Sequence, residues 1–182
     1  MAQQQSQLPD ILAGPILRRV TQDQLVLWLV TSSPLEISLC LYKHRDGHCL
    51  FRGSIKSFAS KPVRIGERAY IYLISYFPKI PFPTDELLEY DLIIHTDQKD
   101  KTLQDSIPAL IYEGQKRPVF LCKPRLNHVL YGSCRKPHHP SQDALLRIDS
   151  ELAETLESPE KRPALLIMAG DQIYADDVAG PM

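Results

Sequence analysis

PALLIMAGDQIYADDV, residues 163–178, is the stretch from which the rest of the chain can be read. Its residues 164–169 form an unbroken apolar run, too short to cross a membrane and bounded by Pro163 and Gly170, which is the pattern of a strand buried on both faces. Gly170 allows a sharp exit, and Asp171, Tyr174, Asp176 and Asp177 follow it closely. Oxygen donors are thus concentrated where a central strand meets its loop. In open α/β sheets that carboxyl-end edge is where ligands bind.

Upstream of this run the pattern is strand, helix, strand. Residues 126–131 predict a strand, Gly132-Ser133-Cys134 its turn, and Ser141 an N-cap with Asp143 in the first helical turn. Leu145, Ile148, Leu152 and Leu156 then recur along one helical face, and Ser158-Pro159 ends the helix. Such an order predicts a parallel pair joined by a right-handed crossover. With neighbouring strands about 4.8 Å apart, their carboxyl ends bring Cys134 and Asp171 to one edge of the sheet. A thiolate and a carboxylate converging there, with the phenol of Tyr174 three residues on, suit a hard or borderline metal ion such as ferric iron.

From Gly14 to about Lys123 the pattern is one of strands and turns. Residues 14–20, 24–31, 35–43, 69–77 and 88–96 are rich in β-branched and aromatic side chains. Between them lie Ser33-Pro34, Asp46-Gly47 and the prolines 78, 81 and 83, all turn or loop signals. Leu35, Ile37, Leu39 and Leu41 alternate with Glu36, Ser38, Cys40 and Tyr42, which predicts a half-buried strand. Residues 97–106 are polar and read as an exposed loop or a hairpin tip; Trp28 reads as core. The fold class expected is an all-β, sandwich-like N-terminal domain followed by the first βαβ unit of an α/β domain. The expected division is a disordered tail over 1–13, the β-domain over 14–124 and an incomplete α/β domain over 125–182.

Composition narrows the function classes. A 182-residue chain with 43% hydrophobic and 24% charged residues is that of an ordinary globular protein. A formal net charge of −1 with no long basic run proposes neither a nucleic-acid nor a membrane surface as partner. The polar N-terminus lacks the basic start and apolar core of a signal peptide, and no run is long enough for a transmembrane helix, so a cytoplasmic location is expected. Cys40, Cys49, Cys122 and Cys134 are few, irregularly spaced and without CxxC, which indicates neither a disulfide framework nor a zinc finger.

YGSCRKPHHPSQDALLRID, residues 131–149, followed by RPALLIMAGDQIYADDVAGPM, residues 162–182, resembles the alkaline phosphatase D (PhoD-like) family of metallophosphatases within the calcineurin-like phosphoesterases. The resemblance covers about the last fifty residues and rests on GSCR and GDQIYADD occurring in order across a helix of suitable length. It implies phosphate ester hydrolysis at a dinuclear site of iron and calcium. Cys134, Asp171 and Tyr174 would be metal ligands, with Asp171 bridging two ions, and Arg135 beside the cysteine would steady a phosphate. The family also commonly places a β-sandwich before its catalytic domain. Its later motifs, an asparagine-histidine pair and further histidines, would lie beyond residue 182. The chain therefore reads as a truncated form, without useful activity alone unless another chain complements it.

Each of these residues also has a plainer reading. Cys134 taken alone would be a structural thiol; Asp171 would cap a helix starting at Gln172; Tyr174 would be a packed aromatic. Asp176 and Asp177 read as loop or helix-start residues, His138 and His139 as exposed residues of a Pro-flanked loop, and Cys40, Cys49 and Cys122 as small core or edge residues. A second class of function stays open: the first 123 residues as a non-catalytic β-sandwich binding or docking module with a silent catalytic remnant. A nucleotide-binding α/β unit is opposed by the absence of GxGxxG and GxxxxGK[ST].

Overall fold

Alternation of apolar and polar side chains builds the first part of the molecule. The computed structural model describes residues 8–136, 139–172 and 174. It divides into two compact units, Met1–Cys122 and Lys123–Met182. In the first, β1 (Ile11–Thr21), β2 (Gln24–Thr31), β6 (Tyr70–Tyr76) and β5 (Val63–Arg64) form one four-stranded antiparallel sheet in the order β1-β2-β6-β5. A second antiparallel sheet has the order β4-β3-β7-β8, from β3 (Glu36–Lys43), β4 (Cys49–Ser54), β7 (Leu87–His95) and β8 (Val119–Leu121). These are the A-B-E-D and C′-C-F-G orders of immunoglobulin-type Greek-key sandwiches.

One core joins the two sheets. Leu25, Leu27 and Leu29 of β2 and Ile74 of β6 meet Leu39 of β3 and Leu88, Leu92 and Ile94 of β7, all with no exposed surface, in a single cluster with Phe120. Burying a side chain of this size contributes about 1.5–3 kcal/mol over leaving it exposed. Aromatic rings close one end: Phe51 lies 4.3 Å from Tyr76, and Phe82 packs edge-on to Phe120 at 5.7 Å, centroid to centroid. Gly14, at φ +82°, lets β1 press on β2, since a Cβ there would stand 2.7 Å from the Trp28 carbonyl oxygen.

Four details of this unit differ from the sequence reading. Ile11–Ala13, expected in the tail, open β1, and Ile11 is buried. The middle of strand β3 is buried on both faces and not half-buried: Ser38 and Cys40 are buried as well as Ile37, Leu39 and Leu41. The polar segment after β7 starts as the exposed hairpin tip expected, closed by an antiparallel bridge between Ile94 and Lys101, and only its second part departs from the reading, packing on β7 where Leu103 N–H meets Asp91. That part forms a short helix, α1 (Leu103–Ser106), with a capping box between Thr102 and Asp105 and with Leu103 fully buried. Trp28 is only half-buried, paired across the outer face of its sheet with Ile16 and Leu73, both more than 40% exposed. Strands β4, β5 and β8 carry too weak a sequence signal to be predicted: β5 and β8 are two and three residues long, and β4 is interrupted by Arg52 and Gly53.

The second unit contains β9 (Val129–Gly132), α2 (Ala144–Glu154) and β10 (Leu165–Met168). Strands β9 and β10 pair in parallel, Leu165 opposite Val129 through Met168 opposite Gly132. The apolar run expected to be buried on both faces is exposed: Leu165, Leu166, Ile167 and Met168 each keep 38–43% of their surface. A two-stranded sheet offers no flanking strand, and α2 buries none of its residues. The helix starts later than predicted, with Asp143 and not Ser141 as its N-cap, accepting from Leu145 N–H. Among the described residues no helix is long and apolar enough to cross a membrane.

Candidate functional site

The parallel ladder carries Cys134 and Asp171 to the same sheet edge. Beyond the paired residues it continues as Ala169 N–H to Gly132 O at 2.8 Å and Cys134 N–H to Gly170 O at 3.4 Å. Cys134 at φ +58°, Gly170 at +67° and Asp171 at +44° then turn both chains sharply. Left-handed backbone is uncommon for residues other than glycine and concentrates at functional sites. The two turns bring the side chains together: Cys134 Sγ lies 3.5 Å from Asp171 Oδ2 and 3.3 Å from Ser133 Oγ. Both Cys134 and Asp171 are exposed.

Next to this pair, Gln172 Nε2 donates to Gly170 O at 2.8 Å, while its Oε1 is buried without a hydrogen-bond donor. Tyr174 is half-buried three residues beyond Asp171. Arg135 is turned away from the thiol toward the start of α2. Its guanidinium grips Asp143, Nη2 to Oδ2 at 2.7 Å and Nε to Oδ2 at 3.0 Å. The Arg135 hydrogen bond and then the Leu145 N–H hold the Asp143 carboxyl below the usual carboxylate range. His139 Nδ1 stands 2.8 Å from Ser141 Oγ in a local turn. His138, Asp176 and Asp177 lie outside the described residues.

The chemistry this edge offers is one soft and one hard anionic donor. Ligands at about 2.3 Å (sulfur) and 2.1 Å (oxygen) from one ion, at a tetrahedral angle, stand about 3.6 Å apart. The separation of Cys134 from Asp171 therefore fits two positions of a single coordination shell. It does not complete one: among the described residues no three His, Cys, Asp or Glu side chains are grouped to hold a metal.

A second polar cluster, on the outer face of β3 and β7, had no place in the sequence reading. Glu89, nearly buried, receives Arg117 Nη1 at 2.7 Å and stands 2.9 Å from His44 Nδ1. Arg117 also stacks 3.8 Å above the Tyr42 ring, and burial pushes that phenol up to about 12. Asp91 Oδ1 accepts Leu103 N–H at 2.9 Å, and burial raises its carboxyl. The signal was present as polar residues at every second position of two otherwise apolar strands. In residues 35–43 that alternation predicts a half-buried strand.

Comparison with known protein families, with curated proteins and with solved structures finds no match to this chain.

Proposed function

We propose that residues 125–182 open a PhoD-like metallophosphatase domain, with β9, α2 and β10 as its first βαβ unit, and that the activity is metal-dependent hydrolysis of phosphate esters. The observation that carries the reading is the approach of Cys134 Sγ to Asp171 Oδ2, 3.5 Å apart at the carboxyl ends of two parallel strands. The motif pair GSCR and GDQIYADD supports it independently, and no family match enters the argument.

In this reading Cys134, Asp171 and Tyr174 would hold metal, iron with calcium by the resemblance. Such ions, when bound, activate water and stabilise phosphoryl charge. The chain's own contribution is positional. Left-handed backbone at Cys134 and Asp171 aims both donors at one point, and the Arg135–Asp143 pair anchors the cysteine loop to the start of α2. A phosphoryl oxygen reaching Arg135 competes with the Asp143 carboxylate for the same fork of N–H donors. Among the described residues, two strands and one helix supply fewer donors than a dinuclear site needs.

Metal analysis of the purified protein tests this. Stoichiometric iron that is lost in a Cys134→Ala/Asp171→Ala double variant supports the reading. Equal metal in both proteins refutes these ligands. Hydrolysis of bis(p-nitrophenyl) phosphate above a metal-only control would overturn the expectation that the 182 residues are inactive alone.

The Ile16–Trp28–Leu73 row on the outer face of the first sheet, with Ile16 and Leu73 exposed and Trp28 half-buried between them, favours one alternative, a β-sandwich docking module. Limited proteolysis separates the two. A resistant fragment ending near Pro124 supports the module, whereas resistance of the β9–α2–β10 segment supports a folded half-site.

A further inference from the structure

We propose that Ser38, His95 and Asp100 form a second, metal-independent reactive centre, a serine nucleophile with its base and orienting carboxylate, which takes the acyl group of small esters. The three come from different parts of the first unit: Ser38 from β3, His95 from the last position of β7, and Asp100 from the turn that follows. Ser38 Oγ lies 2.8 Å from His95 Nε2, and His95 Nδ1 lies 3.0 Å from Asp100 Oδ1. Both ring nitrogens are thus engaged, on opposite sides of one imidazole.

Chemistry decides the direction of these bonds. An ionised carboxylate only accepts, so the proton of the neutral ring is on Nδ1, and Nε2 presents a lone pair to the Ser38 hydroxyl. That is the polarity a serine nucleophile requires: hydroxyl, then base, then a group that fixes the base's tautomer. A structural role for His95, satisfying a buried hydroxyl, needs only the first of the two contacts. The second fixes the tautomer and ring orientation that a base needs.

The support is rigid. Backbone bonds in both directions between Ile94 and Lys101, at 2.8 and 2.9 Å, clamp the turn that carries Asp100. Thr96 Oγ1 fastens the same turn, donating to Lys99 O at 2.7 Å and accepting from Lys99 N–H at 3.1 Å. Ser38 is 8% exposed in the centre of the β4-β3-β7 ladder, while the side chains of His95 and Asp100 are 35% and 49% exposed, so the centre opens on the His95 side.

In the reaction, Ser38 Oγ attacks the ester carbonyl carbon and its proton passes to His95 Nε2. The bond from that carbon to the leaving oxygen breaks, and the leaving alcohol takes the proton from His95. Water, deprotonated by the same nitrogen, then cleaves acyl-Ser38 to a carboxylic acid and free serine. Atoms balance as ester plus water giving acid plus alcohol. Because the hydroxyl lies on a sheet face, the acyl group that reaches it is short.

The test uses the whole chain after treatment with a chelator, which removes any contribution from a metal centre. It is exposed separately to p-nitrophenyl acetate and to a fluorophosphonate probe, and the adduct is mapped by peptide mass spectrometry. The expected result is modification at Ser38, absent in Ser38→Ala and slowed by about 100-fold or more in His95→Gln, the size of a general-base contribution. Asp100→Asn, at a half-exposed position that leaves the fold intact, slows it by at least about 10-fold through the wrong tautomer. Labelling unchanged in Cys134→Ala/Asp171→Ala is also expected, since those residues belong to the other unit. No adduct at Ser38 under conditions that label a known serine esterase, or equal labelling of wild type and His95→Gln, overturns the proposal.

Discussion

The two units carry similar apolar strands and bury them to opposite extents. In the first, Leu27, Leu39 and Leu92 have no exposed surface; in the second, Leu165 to Met168 keep about two-fifths of theirs. Strand composition does not separate them, since LLIM is as apolar as LVLWLV. The difference is the number of layers available. Two four-stranded sheets cover each other's inner faces, and the segment bearing α1 adds a third layer over β3 and β7. A parallel pair is normally covered on both faces, and among the described residues β9 and β10 have neither further strands nor a helix that buries side chains. Stability follows from what packs on a strand, more than from what the strand is made of.

The sharpest way to break that comparison is to remove the same amount of side chain from each unit. Leu39→Ala, in a closed core, is expected to cost about 2–5 kcal/mol in denaturant unfolding. Ile167→Ala, on an exposed strand, is expected to cost under about 1 kcal/mol. Equal losses would show that β10 is covered in solution.

Backbone strain gives a smaller effect in the first unit. Gly14→Ala sets a Cβ against the Trp28 carbonyl at a positive φ, so a loss above about 1 kcal/mol in the same measurement is expected. A neutral result would mean that β1 stands further from β2.

Charge sharpens the contrast further. Burial raises the Asp91 carboxyl, so its contribution favours folding below the ordinary value of about 3.9 and is lost as pH rises through the raised folded value. Asp91→Asn, whose amide oxygen still accepts Leu103 N–H, is therefore expected to shift the urea midpoint upward near pH 7, with the gain shrinking toward about pH 4. In the second unit the sign reverses. The carboxyl of Asp143 is lowered by Arg135, so its contribution is present above about 3.9 and is lost as pH falls through the lowered folded value. Helicity of α2, followed by circular dichroism or amide exchange, should fall over that acid range in wild type but not in Asp143→Ala. This is the smallest of the expected effects, because both side chains reach solvent.

The candidate metal site was legible to the extent that it depends on two short motifs. GSC and GDQIY each end a strand, and parallel pairing of those strands puts Cys134 beside Asp171. The position of Arg135 was not legible: the same guanidinium that suits a phosphate suits Asp143 eight residues on, and the N-cap position of Asp143 decides between them here. Nor was the Ser38–His95–Asp100 group, because the contact from Ser38 to His95 spans 57 residues and depends on the β3–β7 register.

Local chemistry was enough to place β2, β3, β6 and β7, since a period of two and β-branched or aromatic composition act within a few residues. It also located the strand ends that bear Cys134 and Asp171. Burial was beyond its reach. Whether Cys40 is covered or Ile167 exposed depends on which sheets, loops and helices arrive from elsewhere in the chain, and Leu103 and Arg117 reach β7 and β3 through contacts made only after folding. The period of a strand names its two faces, and long-range packing determines which of them meets water.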